Sequence, residues 1–368
     1  MSEEISKKKT ILLTGATGLL GSYILKILLE NRHKVYALAR SKDKKDAKKR
    51  VKDILKFWDE SILDKKLDNL KIVEGDITKE NLGLNDNIKM ILRDEIEEVF
   101  HCAAMTKFNA MLDALRRVNV QGTKNLIEFV SKACSNKIFK SINYISTVFV
   151  CGAFNGIFTE RDFNCNQAFN NNYEQSKFEA ESVVQGYIEQ GMPIRIFRPS
   201  ILVGEYFSGK TTEFNMFYEP LRLFSLEILE EVPLDTRTFL NLIPVDLVAS
   251  AIYVLSIKGD IGKTYHITST DAFRIEHIID ESSRFFNFNK PRYIELQKYK
   301  VKNISPVAKK MLETYIPYFN FMALFNSDET KKLLTKYGFK YPPIDDAFLQ
   351  RLFTFCNYKS FIKVKNNG

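Results

Sequence analysis

Two patterns of apolar and polar positions alternate along most of the chain. Short apolar runs such as residues 11–13 are typical of strands that are buried on both faces of a parallel sheet. Between the runs, apolar side chains recur every three or four residues, as in residues 20–28, which predicts helices that pack one face against a sheet. Strands are therefore predicted at residues 10–14, 34–40, 71–74, 98–104, 142–146, 194–199 and 264–268.

The segments between the strands predict helices. They lie at residues 20–30, in the basic segment that ends near Trp58, and at 112–133, 173–190, 244–257, 275–286, 315–325 and 345–355. Alternating strands and helices build right-handed βαβ units, so the expected fold class is α/β, a Rossmann-type doubly wound parallel sheet. Residues 205–241 are rich in Phe, Tyr and Leu without a clean period, which predicts an irregular lobe over the strand ends.

This pattern also predicts how the chain divides. Residues 1–9 are expected to be a flexible N-terminus. Residues 10–203, with contributions from 241–268, are expected to form a dinucleotide-binding Rossmann domain. Residues 204–240 and 269–368 are expected to form a smaller, mostly helical C-terminal lobe that binds the substrate.

Composition narrows the possible functions. The net charge of +9 comes largely from lysine runs without interleaved aromatic residues, so we expect solvated lysines and no nucleic-acid partner. No run approaches the roughly 18 apolar residues of a membrane span, and the first residues lack a signal peptide, so a cytoplasmic, soluble protein is expected. The five cysteines and four histidines have no disulfide or metal-ligand spacing, and no metal is expected.

The segment TILLTGATGLLGSYILKILLE at residues 10–30 predicts a strand, a tight turn and a helix. Glycines at 15, 18 and 21 permit positive φ and let a phosphate or the helix approach the backbone closely. The N-terminus of the following helix favours the pyrophosphate of a dinucleotide, whereas a glycine-rich turn without a ligand is the alternative. The residues expected to bind the cofactor here are Gly15, Thr17, Gly18, Leu19, Leu20 and Gly21.

Further candidates lie where the predicted strands end, since ligands of such sheets bind outside the carboxyl ends of the strands. Arg40 ends the second strand at the place where NAD-specific folds usually carry an acid. We therefore expect Arg40, with Lys42, to pair with the 2′-phosphate of NADP(H). Asp76, Ala103, Ala104 and Thr147 follow the next strands.

The candidate reaction centre consists of Tyr173, Lys177 and Thr147. A spacing of four residues puts Tyr173 and Lys177 on one face of a helix. The lysine ammonium is expected to lower the pKa of the phenol, so that Tyr173 can give or take a proton, and Thr147 is expected to hold the substrate oxygen beside it. A surface tyrosine and lysine are the alternative interpretation of these two residues.

In the order in which they occur, the motifs resemble those of the extended short-chain dehydrogenase/reductase superfamily. They are TGATGLLG at 14–21, GDIT at 75–78, FHCAA at 100–104, NVQGT at 119–123, YISTVFVCG at 144–152, YEQSK at 173–177 and RPSILVGE at 198–205. Within the superfamily, residues 241–252 and 325–355 resemble the branch of thioester reductases and fatty acyl-CoA reductases.

The resemblance implies a role for each matching residue. Tyr173 would be the catalytic acid/base and Lys177 would bind the nicotinamide ribose and tune Tyr173. Thr147 would be the hydroxyl at the substrate carbonyl, with Ser146 the weaker candidate, and Asn119 would be a relay or a structural partner. Asp76 and Ile77 would flank the adenine, and Pro199 and Ser200 would line the nicotinamide.

The expected function is therefore that of an NADPH-dependent reductase, which transfers hydride to a carbonyl. The favoured substrate class is an acyl thioester of coenzyme A or of an acyl carrier protein, which would be reduced to an aldehyde or alcohol. The alternatives are a sugar-nucleotide epimerase or dehydratase, a hydroxysteroid-type dehydrogenase, and a non-enzymatic NADP-binding regulator. The sequence leaves open the oligomeric state, the acyl carrier and the number of reduction steps.

Overall fold

A computed structural model describes residues 7–62, 67–132, 138–299 and 306–365. Residues 1–6 of the predicted flexible N-terminus, residue 133 at the end of a predicted helix, and residues 300–305 and 366–368 of the predicted lobe lie outside the described residues. The strands are β1 Thr10–Thr14, β2 Lys34–Ala39, β3 Leu70–Glu74, β4 Glu98–His101, β5 Ser141–Ile145, β6 Gly156–Phe158, β7 Ile194–Pro199, β8 Ile201–Val203, β9 Glu231–Pro233, β10 Phe239–Leu240, β11 Leu242–Pro244, β12 Thr264–Ile267, β13 Phe273–Arg274, β14 Arg292–Ile294 and β15 Ala323–Phe325.

Seven of these strands form one parallel sheet in the order β3-β2-β1-β4-β5-β7-β12. The chain first runs outward from β1 to β3 and then from β4 to β12, so the direction of winding reverses between β1 and β4. In doubly wound sheets a ligand crevice lies at this reversal, outside the carboxyl ends of the strands. The predicted Rossmann-type α/β class is confirmed.

Helices cover both faces of the sheet. One face packs on α1, α2 and α8, and the other packs on α3, α5 and α6, each through a buried apolar cluster. The α-helices are α1 Leu19–Glu30, α2 Ala47–Trp58, α3 Asp86–Glu95, α4 Leu112–Arg116, α5 Gly122–Ser131, α6 Asn172–Glu189, α7 Tyr218–Ser225, α8 Val245–Lys258, α9 Ile275–Phe286, α10 Pro306–Phe319, α11 Asp328–Lys336 and α12 Asp346–Tyr358. No helix in the described ranges is long and apolar enough to cross a membrane.

Three predicted elements differ from the structure. The fourth strand ends at His101, not at residue 104, and 102–104 form a loop. The single helix predicted at 112–133 is two α-helices joined by a π-helical turn at Arg117–Gln121. The helix predicted at 315–325 ends at Phe319, and residues 323–325 form a strand because they pair with β6.

A second apolar cluster fills the remaining part of the chain. Residues of α7, α9, α10 and α12 meet there, together with the short strands β8, β9 and β11. Residues 205–241, predicted to be irregular, contain α7 and the two short strands β9 and β10. This C-terminal lobe and the carboxyl ends of the sheet strands together line the cleft described below.

Candidate active site

Glycines shape the turn between β1 and α1. Gly15 has φ of +77°, and a Cβ there would come within 2.6 Å of backbone atoms of Cys102 and Ala103. A Cβ at Gly21 would come within 2.2 Å of the Gly15 carbonyl oxygen. Neither position has room for a side chain, because the turn lies against the end of β4 and α1 packs directly on the turn.

Gly18 has a different environment. The nearest atom to a Cβ placed there would be the Gly15 carbonyl oxygen at 3.6 Å, which is an ordinary contact distance. Gly18 immediately precedes α1 and lines a cleft together with Leu19, Leu20 and Gly21. The turn itself does not require a glycine here, so the absence of a side chain leaves room for a ligand at the N-terminus of α1, where anions are favoured.

The cleft has a volume of about 800 Å³ and lies at the carboxyl ends of the strands. Its walls bring together many of the predicted residues, which lie as far apart in sequence as Gly18 and Ser200. The predicted residues that line it are Gly18, Leu19, Leu20, Gly21, Ala104, Thr147, Tyr173, Lys177, Pro199 and Ser200. Gly15, Thr17, Arg40, Lys42, Asp76, Ile77, Ala103 and Asn119 do not line it.

Two arginines flank the carboxyl end of β2. Arg40 is exposed, and its Nη1 lies 3.4 Å from the Asp76 carboxylate. Arg50 of α2 donates hydrogen bonds to the Arg40 carbonyl oxygen at 2.5 Å and to Thr17 Oγ1 at 3.1 Å. The Arg50 guanidinium therefore joins the glycine turn to the end of β2. Sequence reasoning missed Arg50 because it ends a lysine-rich run, and only the packing of α2 brings it here.

The other predicted adenine-side residues have local partners. Asp76 accepts hydrogen bonds from Thr78 N and Oγ1, both at 2.9 Å. Partial burial raises the pKa of Asp76, but these bonds and the Arg40 charge outweigh that effect and hold the pKa below its usual value. The Ile77 side chain is buried against Gly122. Lys42 is exposed, with its ammonium 3.8 Å from Asp43.

Thr147 and Ser146 follow β5, and both line the cleft. Thr147 Oγ1 accepts a hydrogen bond from Phe149 N at 3.3 Å and donates one to the Pro199 carbonyl oxygen at 3.4 Å. Ser146 donates a hydrogen bond to the buried carboxylate of Glu181. Because the Ser146 hydroxyl already donates its hydrogen bond to the Glu181 carboxylate, Thr147 is the better placed of the two hydroxyls to contact a ligand.

Tyr173 lies in the first turn of α6, which begins after Asn171 accepts a capping hydrogen bond from Glu174 N. The Tyr173 ring stacks on Phe108 at a centroid distance of 5.4 Å. Burial and the neighbouring Glu174 carboxyl raise the pKa of the Tyr173 phenol. Burial likewise raises the pKa of Glu174 to about 7, although hydrogen bonds from Tyr318 and Asn170 oppose that shift.

Lys177 is buried one turn further along α6. Its Nζ donates hydrogen bonds to the Ile145 carbonyl oxygen at 2.8 Å and to Tyr144 Oη at 3.1 Å, and it lies 4.7 Å from the centre of the Tyr144 ring. Burial lowers the pKa of Lys177 to about 8, and the Glu181 carboxylate opposes this shift. Tyr144 was not predicted, because a tyrosine within a buried strand is not distinguishable from a packing residue by sequence.

The expected lowering of the Tyr173 pKa is wrong for this structure. Tyr173 and Lys177 do share one end of α6, but the ammonium is turned toward β5, where it contacts Tyr144 and Ile145. Burial of the phenol and the adjacent Glu174 then dominate, and the pKa of Tyr173 rises. The raised pKa makes the phenolate form of Tyr173 less accessible, so the phenol remains protonated at neutral pH.

Asn119 is buried in the π-helical turn between α4 and α5. Its side chain accepts a hydrogen bond from Met105 N at 2.7 Å and donates to Met105 O at 3.0 Å and to Ser176 Oγ at 2.9 Å. It therefore ties the loop after β4 to α6. Of the two roles expected for Asn119, these contacts favour the structural partner.

One group outside the cleft has the composition of a metal site. His277, Glu281 and Asp346 have potential ligand atoms within 4.8 Å of one another. However, His277 Nε2 forms a 2.6 Å contact with Asp346, and Glu281 pairs with Arg284. These partners account for the cluster without a metal ion, so the prediction that no metal is bound is unchanged.

A dinucleotide fits the residues at the carboxyl ends of the strands. The turn after β1 excludes side chains at Gly15 and Gly21, leaves space at Gly18, and puts the N-terminus of α1 at a cleft large enough for a small ligand. Together with the sheet order and the Tyr173 and Lys177 pair, these features define an NAD(P)-dependent oxidoreductase of the extended short-chain dehydrogenase/reductase type.

Comparison with known proteins identifies the branch. Residues 13–252 match the NAD-binding family described as male sterility protein, and the chain belongs to that family. The chain is 29% identical over 299 residues to a carboxylic acid reductase of Segniliparus rugosus, covering 74% of this chain and 24% of that protein. It is 24% identical over 335 residues to the probable fatty acyl-CoA reductase 5 of Arabidopsis thaliana, covering 72% of this chain and 67% of that protein.

Several of the curated relatives are much longer than this chain. The chain spans 26% of the nonribosomal peptide synthetase asaC of Aspergillus flavus, to which it is 28% identical over 274 residues covering 70% of this chain. Among solved structures, the terminal R domain from the myxalamid PKS-NRPS biosynthetic pathway superposes with a TM-score of 0.83 at 24% identity, covering all of this chain and 97% of that one. This structural similarity confirms the fold.

Proposed function

We propose that this protein is an NADPH-dependent reductase that converts an acyl thioester to an aldehyde or alcohol. The observation that carries the proposal is the single cleft shared by the first turn of α1, Thr147, Tyr173 and Lys177. Relatives named carboxylic acid reductase and fatty acyl-CoA reductase support the substrate class. The test is a screen of NADPH oxidation against acyl-CoAs, sugar nucleotides and sterols, in which turnover with acyl-CoAs alone is expected.

Each residue of the cleft has a defined task in this proposal. The bound nicotinamide cofactor supplies the hydride. The glycine turn and the N-terminus of α1 bind the pyrophosphate, and Lys177 binds the nicotinamide ribose. Thr147 turns its hydroxyl proton from the Pro199 carbonyl oxygen to the substrate carbonyl oxygen, and Tyr173 gives a proton to that oxygen as negative charge develops on it. The hemithioacetal formed in this way then breaks its carbon–sulfur bond, which releases the thiol and leaves the aldehyde. The Tyr173 phenol is protonated at neutral pH, as this role requires, although its raised pKa makes it a weaker acid than a solvent-exposed phenol.

The remaining cofactor contacts are proposed because these residues follow the carboxyl ends of sheet strands. Asp76 and Ile77 would lie beside the adenine, while Ala103 and Ala104 would lie beside the dinucleotide after β4. Pro199 and Ser200, which line the cleft, would contact the nicotinamide. In this arrangement residues 10–203 and 241–268 bind the cofactor, and 204–240 and 269–368 bind the substrate. The solved thiolation-reductase di-domain, similar in fold with a TM-score of 0.75, makes an acyl carrier protein a reasonable partner to test.

Binding should be tighter for NADPH than for NADH. Arg40 is exposed, Arg50 links the end of β2 to the glycine turn, and Lys42 adds a third cation nearby, so a 2′-phosphate would gain charge-assisted hydrogen bonds. We expect dissociation constants measured by fluorescence titration to favour NADPH by about tenfold or more, since hydrogen bonds to charged groups contribute about 1.5–3 kcal/mol.

A matched pair of variants locates this preference. Arg40→Ala should weaken NADPH binding and leave NADH binding nearly unchanged. Arg93→Ala, which replaces an arginine on α3 at the opposite face of the sheet, should change neither constant. Tighter binding of NADH than of NADPH by the wild-type protein would contradict the proposal.

Catalytic efficiency should rise with the length of the acyl chain. The lobe residues near the cleft include Phe214, Met216 and Tyr315, and the two cations of residues 206–229 are engaged elsewhere, with Lys210 over the Phe57 ring and Arg222 over the Phe361 ring. Burying one methylene contributes roughly 0.8 kcal/mol. We therefore expect kcat/KM to increase severalfold for every two carbons until the cavity is full.

The measurement is a series of saturated acyl-CoA substrates from butyryl-CoA upward. Equal efficiency at all lengths would argue against an apolar acyl site. Turnover with nucleotide sugars alone would assign the protein to the epimerase and dehydratase alternative.

A further inference from the structure

A second, smaller cavity lies behind the cleft in the C-terminal lobe. It has a volume of about 30 Å³ and is enclosed mainly by apolar side chains from α7, α9 and α10, among them Leu221, Phe224, Ile278 and Ile279. Tyr318 presents its ring to this inner pocket, while its hydroxyl is bound to Glu174 and Asn171. The inner pocket therefore offers almost no polar contact, and apolar cavities of this kind stay free of water and bind apolar groups.

Met216 and Tyr315 line both the inner pocket and the cleft. Among the described residues, no other side chain lines both spaces. Both are partly buried, and methionine in particular changes its shape readily because its side chain is long and unbranched. A passage between the cleft and the inner pocket can therefore open by side-chain rotation, without movement of a helix.

The two spaces differ in chemistry. The cleft wall includes Lys107 and Asn109 from the loop after β4 and Glu213 and Glu219 from the lobe, and one oxygen of Glu219 is buried without a hydrogen-bond partner in the structure. The inner pocket lacks charged groups on its walls. This division suits a substrate with a polar, hydrogen-bonding arm at one end and an apolar tail at the other, which is the form of an acyl thioester.

A column of stacked rings connects the proposed proton donor to the inner pocket. Tyr173 stacks on Phe108 at 5.4 Å, and Phe108 stacks on Tyr318 at 5.7 Å between ring centroids. An extended chain advances about 1.2 Å per bond, from the 3.3–3.6 Å spanned by each three-bond residue of an extended peptide. A chain of roughly eight to ten carbons would thus reach from the reacting carbonyl to the inner pocket.

We propose that the inner pocket binds the methyl end of a straight acyl chain of medium length, and that Met216 and Tyr315 form the passage to it. This inference rests on the proposed thioester reductase function. The pocket sets the upper limit of chain length, because its volume of about 30 Å³ has room for only the last one or two carbons. Efficiency rises up to decanoyl-CoA and does not rise further for palmitoyl-CoA.

The test compares ratios of kcat/KM within each variant, so that a general loss of activity does not affect the result. Ile279→Phe makes the inner pocket smaller. It should lower the ratio of kcat/KM for decanoyl-CoA to that for butyryl-CoA by about tenfold, which is the effect expected when two methylenes can no longer be buried in the pocket. Leu221→Ala enlarges the pocket and should raise the ratio of palmitoyl-CoA to decanoyl-CoA severalfold. If Ile279→Phe does not fold, Leu221→Ala alone tests whether the inner pocket binds the end of the acyl chain.

Leu352→Ala is the matched control. Leu352 is fully buried in the same lobe but lines neither cavity, so its truncation should lower thermal stability and leave both ratios unchanged. Wild-type ratios in both Ile279→Phe and Leu221→Ala, with reductase activity retained, would overturn the inner pocket as the site of the acyl end. Inactivity of the wild-type protein toward every acyl-CoA and toward the same acyl groups on an acyl carrier protein would contradict the proposed function itself.

Discussion

Replacing Tyr173 with Phe is expected to lower kcat for thioester reduction by about 10²- to 10⁴-fold, the usual contribution of a positioned general acid. The substitution removes only the phenol oxygen, and the ring can keep its stacking on Phe108. The N-terminus of α1, Lys177 and the arginines near β2 are unchanged. Binding of NADPH, measured by fluorescence titration, should therefore remain close to that of the wild-type protein.

Two further variants distinguish the loss of a proton donor from a general disturbance of the active-site structure. Lys177→Ala should impair both turnover and cofactor binding, because Lys177 is proposed to bind the ribose and its removal leaves Tyr144 and the Ile145 carbonyl without their buried donor. Tyr187→Phe makes the same chemical change near the other end of α6 and should have no effect. If Tyr173→Phe kept more than about a tenth of the rate, its assignment as the acid would be wrong.

Replacing Glu181 with Ala is expected to lower the free energy of unfolding by about 3–5 kcal/mol, because it leaves a buried charge without its partner. The side chains of Glu181 and Arg198 are 0% and 1% exposed, and Arg198 Nη2 lies 2.5 Å from Glu181 Oε1. Arg198 would keep its hydrogen bonds to the Asp162 carbonyl oxygen and His266, but it would lose the carboxylate that is hydrogen-bonded to it. The measurement is urea unfolding, in which the midpoint and the dependence of the free energy of unfolding on urea concentration together give the stability.

Glu179→Ala provides the matched control on the same helix. Glu179 also pairs with an arginine, Arg116, but the two side chains are 27% and 43% exposed, and such pairs contribute about 0–1 kcal/mol. Equal destabilisation by the two variants would show that burial does not determine the strength of the Glu181–Arg198 pair. Because Glu181 also accepts a hydrogen bond from Ser146, its loss should disturb the end of β5 next to Thr147 as well.

Strands and the glycine turn could be predicted because local sequence carries their physical cause. A central parallel strand is apolar on both faces, so β1 and β2 are visible as short apolar runs. Gly15 has a positive φ, and a Cβ at Gly21 would collide with the Gly15 carbonyl oxygen, so both glycines have a cause within the turn itself. The Tyr173 and Lys177 spacing likewise depends only on the geometry of one helix, α6.

Contacts between distant segments account for the elements that were predicted wrongly. Residues 112–131 have helical periodicity throughout, but Asn119 bonds Met105 and Ser176 from a π-helical turn that interrupts the helix. Residues 323–325 became a strand because β6, which is far away in sequence, offers a partner. Periodicity carries no information about either partner.

The sequence by itself determined the α/β class, the order of most strands and helices, and the set of residues that could do chemistry, because these follow from local patterns of polarity and spacing. Only the tertiary structure decided how those residues are used. It turned the Lys177 ammonium toward Tyr144, raised the pKa of Tyr173 by burial, and brought Arg50 to the end of β2. Desolvation and long-range hydrogen bonds depend on what packs around a side chain, and that is set by the fold as a whole.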